Sequence, residues 1–177
     1  TTSSLAGLND NSLSTLSTSQ VGALTTDQVS NLTSSQVENL VTAQIRVLSS
    51  SQLNAMSTAQ WTALKADQLQ ALSTTQLSAV ITTNLRALSG DLINTLSTAQ
   101  VNTLTSGQVA SLQNAQVAAL TSAQLNKLTS TNLQALTSAQ VQSLTVDQLP
   151  ALSTSQLINL TTAQFASLSN AQVGVLT

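Results

Sequence analysis

Apolar residues along this chain recur at intervals of three, five, three and five. Every residue whose number is a multiple of eight, from Leu8 to Leu176, is Leu, apart from Met56 and Val80. Three positions earlier, from Leu5 to Val173, stands another large apolar residue, and the frame never slips. If each octad is numbered from the residue after the Leu, Ser or Thr usually takes position 1, Gln or Asn position 4, Val, Leu or Ile position 5, and Leu position 8. Ser97-Thr98-Ala99-Gln100-Val101-Asn102-Thr103-Leu104 is typical. Repetition at a fixed period decides architecture before any other signal is weighed.

Helix geometry narrows the choice. One unbroken α-helix turns about 100° per residue, so the apolar stripe would drift roughly 80° per octad and no single face would stay buried. A plain strand alternates faces with period two, which sends positions 5 and 8 to opposite sides. A β-solenoid with a corner between them is the alternative that survives, and Thr and Val would suit it. The deciding feature is Ser/Thr-x-x-Gln ahead of an apolar residue, as at Ser17–Gln20, Thr25–Gln28, Thr33–Gln36, Ser49–Gln52, Ser97–Gln100, Thr121–Gln124, Thr137–Gln140 and Thr161–Gln164. This is a capping box: the hydroxyl accepts from the third helical N–H, and the Gln side chain returns to the cap's own N–H. Positions 5 and 8 then share one helix face. The pattern predicts an all-α solenoid or superhelix of short two-turn helices, one per octad. Asp27, Asp67, Asp91 and Asp147 fit it, each at position 3 in a first turn, where the helix dipole favours negative charge. Calcium ligation by the same four acids is disfavoured, because calcium wants six to eight oxygens close together.

An isolated helix this short is not stable in water, so stability has to come from neighbouring repeats. Small residues at position 7 (Ala23, Ala55, Ala63, Ala71, Ala79, Ala87, Ala119, Ala135) would let successive helices approach closely. No sixteen-residue modulation is present, so one screw operation should relate each octad to the next. With two octads per layer and layers about 8–10 Å apart, the array would be a rod on the order of 100 Å long.

The expected organisation is a single array over residues 1–177, with 1–16 as divergent end repeats and 17–177 regular. Ser4 and Ser12 replace Gln in the first two octads. The last octad, ending at Leu176, has no divergent closing unit, which suggests a segment of a longer array. Val41 and Lys65 stand where a cap is needed, so their helices should fray or borrow one. Residues 81–96 are the least regular interior stretch: Ile81 replaces a cap, Gly90 softens a first turn, and Leu92 replaces Gln. That stretch reads either as a hinge or docking patch or, the favoured reading, as a tolerated variant with a slightly larger core. Pro150, the single proline, should kink its helix. Trp61 and Phe165 both occupy position 5 and are read as core residues rather than ligand platforms.

Composition adds mostly exclusions. Charged residues are 6% of the chain, against about a quarter in an average soluble protein. Solubility therefore rests on Ser, Thr, Asn and Gln. A net charge of −2, with Arg46, Lys65, Arg86 and Lys127 scattered, gives no field for nucleic acid or anionic lipid. No apolar run approaches the roughly 18 residues of a membrane span. With no His and no Cys, the common nucleophile–base pairs and ordinary zinc sites are missing. No catalytic, cofactor-binding or metal-ligating residue is assigned. The sequons at Asn31 and Asn159 arise whenever Asn at position 7 meets Thr at position 1, and are read as accidents of the repeat.

The unit L-[ST]-x-x-Q-[VIL]-x-x, seen from Leu96 to Leu176, resembles the tandem octapeptide tracts of very large bacterial secreted or surface proteins. That resemblance implies an extracellular or cell-surface spacer or stalk. Leu24-Thr25-Thr26-Asp27-Gln28-Val29 is also similar to the opening of the TAL-effector repeat, but the longer period and base-reading loop of that family are absent, so DNA recognition is not carried over. The leading expectation is a non-enzymatic structural module partnered by neighbouring repeats. Two alternatives are ice binding or other regular-surface binding through the Ser/Thr array at positions 1 and 2, and a self-assembling filament unit formed by head-to-tail association.

Overall fold

The computed structural model describes residues 10–176, and they are helical throughout. Among them twenty α-helices and one 3-10 helix follow one another, with no strand. The protein is an all-α repeat solenoid.

The octad explains each helix locally. Ser57, with φ −69° and ψ 162°, is extended; its Oγ accepts from Gln60 N at 3.2 Å, and Gln60 Oε1 accepts from Ser57 N at 2.7 Å. The helix then runs only from Thr58 to Thr62. Helices of four to six residues fall short of two full turns, because the chain straightens at or near position 8 to present the next cap. Leu48, Met56, Leu72 and Leu88, with ψ between 131° and 143°, are such joints.

The chain divides into two units, Thr1–Leu88 and Ser89–Thr177. The first holds α1 (Asp10–Ser14), α2 (Thr18–Gly22), α3 (Thr26–Ser30), α4 (Ser34–Glu38), α5 (Thr42–Val47), α6 (Ser50–Ala55), α7 (Thr58–Thr62), α8 (Ala66–Ala71), α9 (Thr74–Ser78) and α10 (Thr82–Ala87). Within it α1 packs on α4, α2 on α5, α3 on α6, α4 on α7, α5 on α8 and α7 on α10. The second holds α11 (Gly90–Thr95), α12 (Thr98–Asn102), α13 (Ser106–Ser111), α14 (Asn114–Ala118), α15 (Ser122–Leu125), α16 (Ser130–Ala135), α17 (Ser138–Gln142), the 3-10 helix Leu149–Ala151, α18 (Thr154–Ile158), α19 (Thr162–Ala166) and α20 (Asn170–Gly174). The same step recurs there: α11 with α14, α12 with α15, α13 with α16 and α14 with α17.

The packing partner is therefore three octads away, so the expectation of two octads per layer does not hold. Each joint turns the chain by well under the half circle that a two-octad layer requires. One of the small position-7 residues, Ala119, stands at this three-octad step. A Cβ on Gly90 would lie 2.9 Å from Ala119 Cβ, so the chain carries glycine where α11 meets the repeat three octads on.

Position 5 is fully buried from Leu13 to Leu149, and position 8 nearly so from Leu32 to Leu152. Trp61 lies in this core at 0% exposure, its indole Nε1 donating to Leu53 O at 3.1 Å. Phe165 does not: it is 50% exposed. Among the described residues no octad three or four repeats onward stands over it, and that neighbour is what closes the position-5 slot elsewhere.

Two further expectations change. The helices behind Val41 and Lys65 do not fray; at six residues they are among the longer ones. Half of the box survives, since Gln44 Oε1 accepts from Val41 N at 3.0 Å and Gln68 Oε1 from Lys65 N at 2.8 Å. Gln44 N donates to Val41 O at 2.9 Å, so the N–H left without a hydroxyl finds a carbonyl. Pro150 does not kink an α-helix. Its octad forms the 3-10 turn Leu149–Ala151 instead, with Leu149 still fully buried. The calls on Leu5, Leu8 and Ser4 lie outside the described residues.

Candidate functional site

Among the described residues the buried polar side chains are those at position 4, Gln in most octads and Asn at Asn84 and Asn132. A capping box uses only the side-chain oxygen, and a solvent-exposed Gln would serve. Yet Gln36, Gln44, Gln60, Gln68, Gln124 and Gln164 are each at most 2% exposed. A buried amide is costly unless both of its ends are hydrogen-bonded. Both ends are.

Gln60 shows the arrangement. Its Oε1 takes the Ser57 N–H, and its Nε2 donates to Val29 O at 2.9 Å and Leu32 O at 2.7 Å, 31 and 28 residues earlier. Gln44 reaches Leu13 O and Leu16 O, Gln68 reaches Val37 O and Leu40 O, and Gln76 reaches Ile45 O and Leu48 O by the same two steps. In the second unit Gln124, Gln140, Gln164 and Gln172 repeat it on Leu96, Leu112, Leu136 and Leu144. The carbonyls belong to helix ends, where the last C=O groups lack intrahelical partners. One amide thus starts its own helix and closes another four octads back. The helix body meanwhile packs three octads back, so a turn of the solenoid lies between three and four octads.

Deviations test this geometry. Asn132 is one methylene shorter: its Nδ2 reaches Leu104 O at 2.6 Å, but its Oδ1 accepts from Ser106 Oγ at 3.2 Å, and the Thr129 box is not completed. Asn84 has only a 3.5 Å contact to Leu53 O. At Leu92 no amide is present, and Ser89 Oγ alone caps the helix, accepting from Leu92 N at 3.2 Å. Among the described residues no buried side-chain nitrogen or oxygen lacks a partner.

The residues weighed for chemistry are spread out. Asp27, Asp67 and Asp91 are exposed in the first turns of α3, α8 and α11, and Asp147 is exposed in the turn before Leu149. Among the described residues no three metal-ligating side chains come together and no pocket opens. No helix there is long and apolar enough to cross a membrane. Lys65 Nζ meets Glu38 Oε1 at 3.5 Å, with both side chains half exposed. The sequon residues Asn31 and Asn159 use their Nδ2 to donate to Asp27 O and Ser155 O, each at 2.7 Å.

Sequence comparison agrees with the octad frame. The profile of the ALTTAQ repeat matches residues 1–34, 29–66 and 109–146, more than half of the chain. The chain belongs to the ALTTAQ repeat family. Five of the six letters stand unchanged at Leu160-Thr161-Thr162-Ala163-Gln164, and the structure gives three of them a job. Leu160 is the position-8 apolar residue, Thr161 the cap, and Gln164 the bridging amide. No curated protein was found to match the chain.

Proposed function

We propose that this ALTTAQ repeat array is a non-enzymatic structural module, a spacer or interaction surface in a large secreted or surface-attached bacterial protein. One observation carries the reading: the groups most able to do chemistry are spent on holding repeats together. In most octads the position-1 hydroxyl accepts an N–H of its own helix, and the buried position-4 amide joins its own helix to one four octads earlier. The extracellular setting is supported by the resemblance of the octad to tracts of large secreted proteins. Labelling intact and lysed cells with an antibody against the array tests the placement. Staining of intact cells is expected; staining confined to lysed cells would overturn it. Removing 32 residues from the interior in frame tests the spacer role. The flanking parts are expected to keep their activities with a shorter reach, and loss of a catalytic activity would contradict the module reading.

A further inference from the structure

Between residues 41 and 88 of the first unit, one octad is anchored unlike the rest. From 41–48 to 73–80 each octad carries its own Gln. The Oε1 accepts from the N–H at position 1. The Nε2 donates to two carbonyls of an earlier octad, as Gln76 does to Ile45 O and Leu48 O. Octad 81–88 departs from this at both ends. Ile81 supplies no hydroxyl, and Asn84, one methylene shorter than Gln, completes no capping box. The Ile81 N–H goes instead to Asn54 Oδ1 at 3.0 Å, while Asn54 Nδ2 donates to Ala79 O at 2.8 Å, and both bonds are exposed to solvent. Asn84 Nδ2 lies 3.5 Å from Leu53 O, at the edge of hydrogen-bonding distance. The Trp61 indole already donates to that carbonyl at 3.1 Å. Gln amides thus start the octads from 41 to 80, and at the start of the next one solvent-exposed bonds from Asn54 stand in.

We infer that octad 81–88 is the yield point of the first unit: its helix α10 opens before those of octads 57–80. A bond already open to water gives up its partner for solvent at little cost, whereas separating a buried amide from its carbonyls leaves both without partners. Local opening starts from such weakly held elements. Helix α10 packs on α7, which carries Trp61, the chain's single tryptophan and fully buried. Opening α10 therefore uncovers the indole. For a spacer the consequence is length. One octad pulled straight spans about 26–29 Å at 3.3–3.6 Å per residue, so the array lengthens at a set place. That consequence rests on the module reading. The opening itself rests on hydrogen bonds inside the unit, and its failure would leave the module reading intact.

The test is amide hydrogen exchange of the 177-residue chain, resolved to single octads. The helical amides of 81–88 are expected to exchange at least about tenfold faster than those of 57–64, 65–72 and 73–80. Asn54→Ala removes the stand-in bonds and should speed exchange in 81–88 by roughly tenfold more, leaving 57–72 unchanged. Ile81→Thr supplies the missing cap hydroxyl and should slow it by roughly fivefold. Acrylamide quenching of Trp61 fluorescence should rise in the first variant and fall in the second. Equal protection from 57 to 88, or substitutions that shift every octad alike, would overturn the proposal.

Discussion

At the residue scale the informative distinction is between Gln and Glu. Either satisfies a capping box, but position 4 never holds Glu in this chain, and the structure supplies the reason. The outer end of the side chain faces two or three carbonyls, as Gln60 Nε2 faces Val29 O, Ser30 O and Leu32 O. A carboxylate there would be buried among acceptors. Gln60→Glu is expected to cost about 3 kcal/mol or more at neutral pH, measured by urea denaturation. The sign with pH follows. Burial among carbonyls raises the folded carboxyl pKa above its unfolded value of about 4.3, so the folded state binds the proton more tightly. The variant's deficit should shrink as pH falls through the raised value toward the unfolded one. A second contrast uses the two aromatics. Trp61→Ala should cost about 3–5 kcal/mol by its buried volume, while Phe165→Ala in the monomer should cost under about 1 kcal/mol. Equal losses would contradict the burial pattern. The sequence placed both in the same slot; what differs is whether later octads cover them, which local pattern does not encode.

At the element scale the cap is separable from the bridge. Val41 is 47% exposed and supplies no hydroxyl, yet α5 is complete. The amide of Gln44 and the Val41 carbonyl do that work. Val41→Thr should restore the missing acceptor and raise stability by about 0.5–1 kcal/mol, seen as a higher thermal midpoint. A lower midpoint would mean that the present N-terminus is already fully satisfied. Much at this scale was legible in the chain. Helix positions, the self-capping unit and the core slots follow from the three–five spacing and the Ser/Thr-x-x-Gln box. The length of each helix and the behaviour of Pro150 were less so, because both depend on how the joint at position 8 leaves the helix. A 3-10 turn absorbs the missing N–H of Pro150 while keeping Leu149 buried.

At the scale of the whole molecule, the step between packing partners is what periodicity left open. An eight-residue frame fixes that repeats are equivalent, not how many make a turn; the joint angle and the reach of Gln decide that. The missed signal was the exclusion of Glu, which asks where the amide's N–H groups go and so implies a partner beyond the octad. The central claim follows: an octad folds only when repeats three and four octads away pack against it and exchange its amide bonds. Residues 33–56 contain three octads and no such pair, whereas residues 33–88 contain several. Far-ultraviolet circular dichroism of these two peptides beside the full chain tests the claim most directly. The shorter peptide is predicted to be largely unfolded, with helicity per residue rising in the longer one and highest in the full chain. A 33–56 peptide as helical per residue as the whole protein would contradict it.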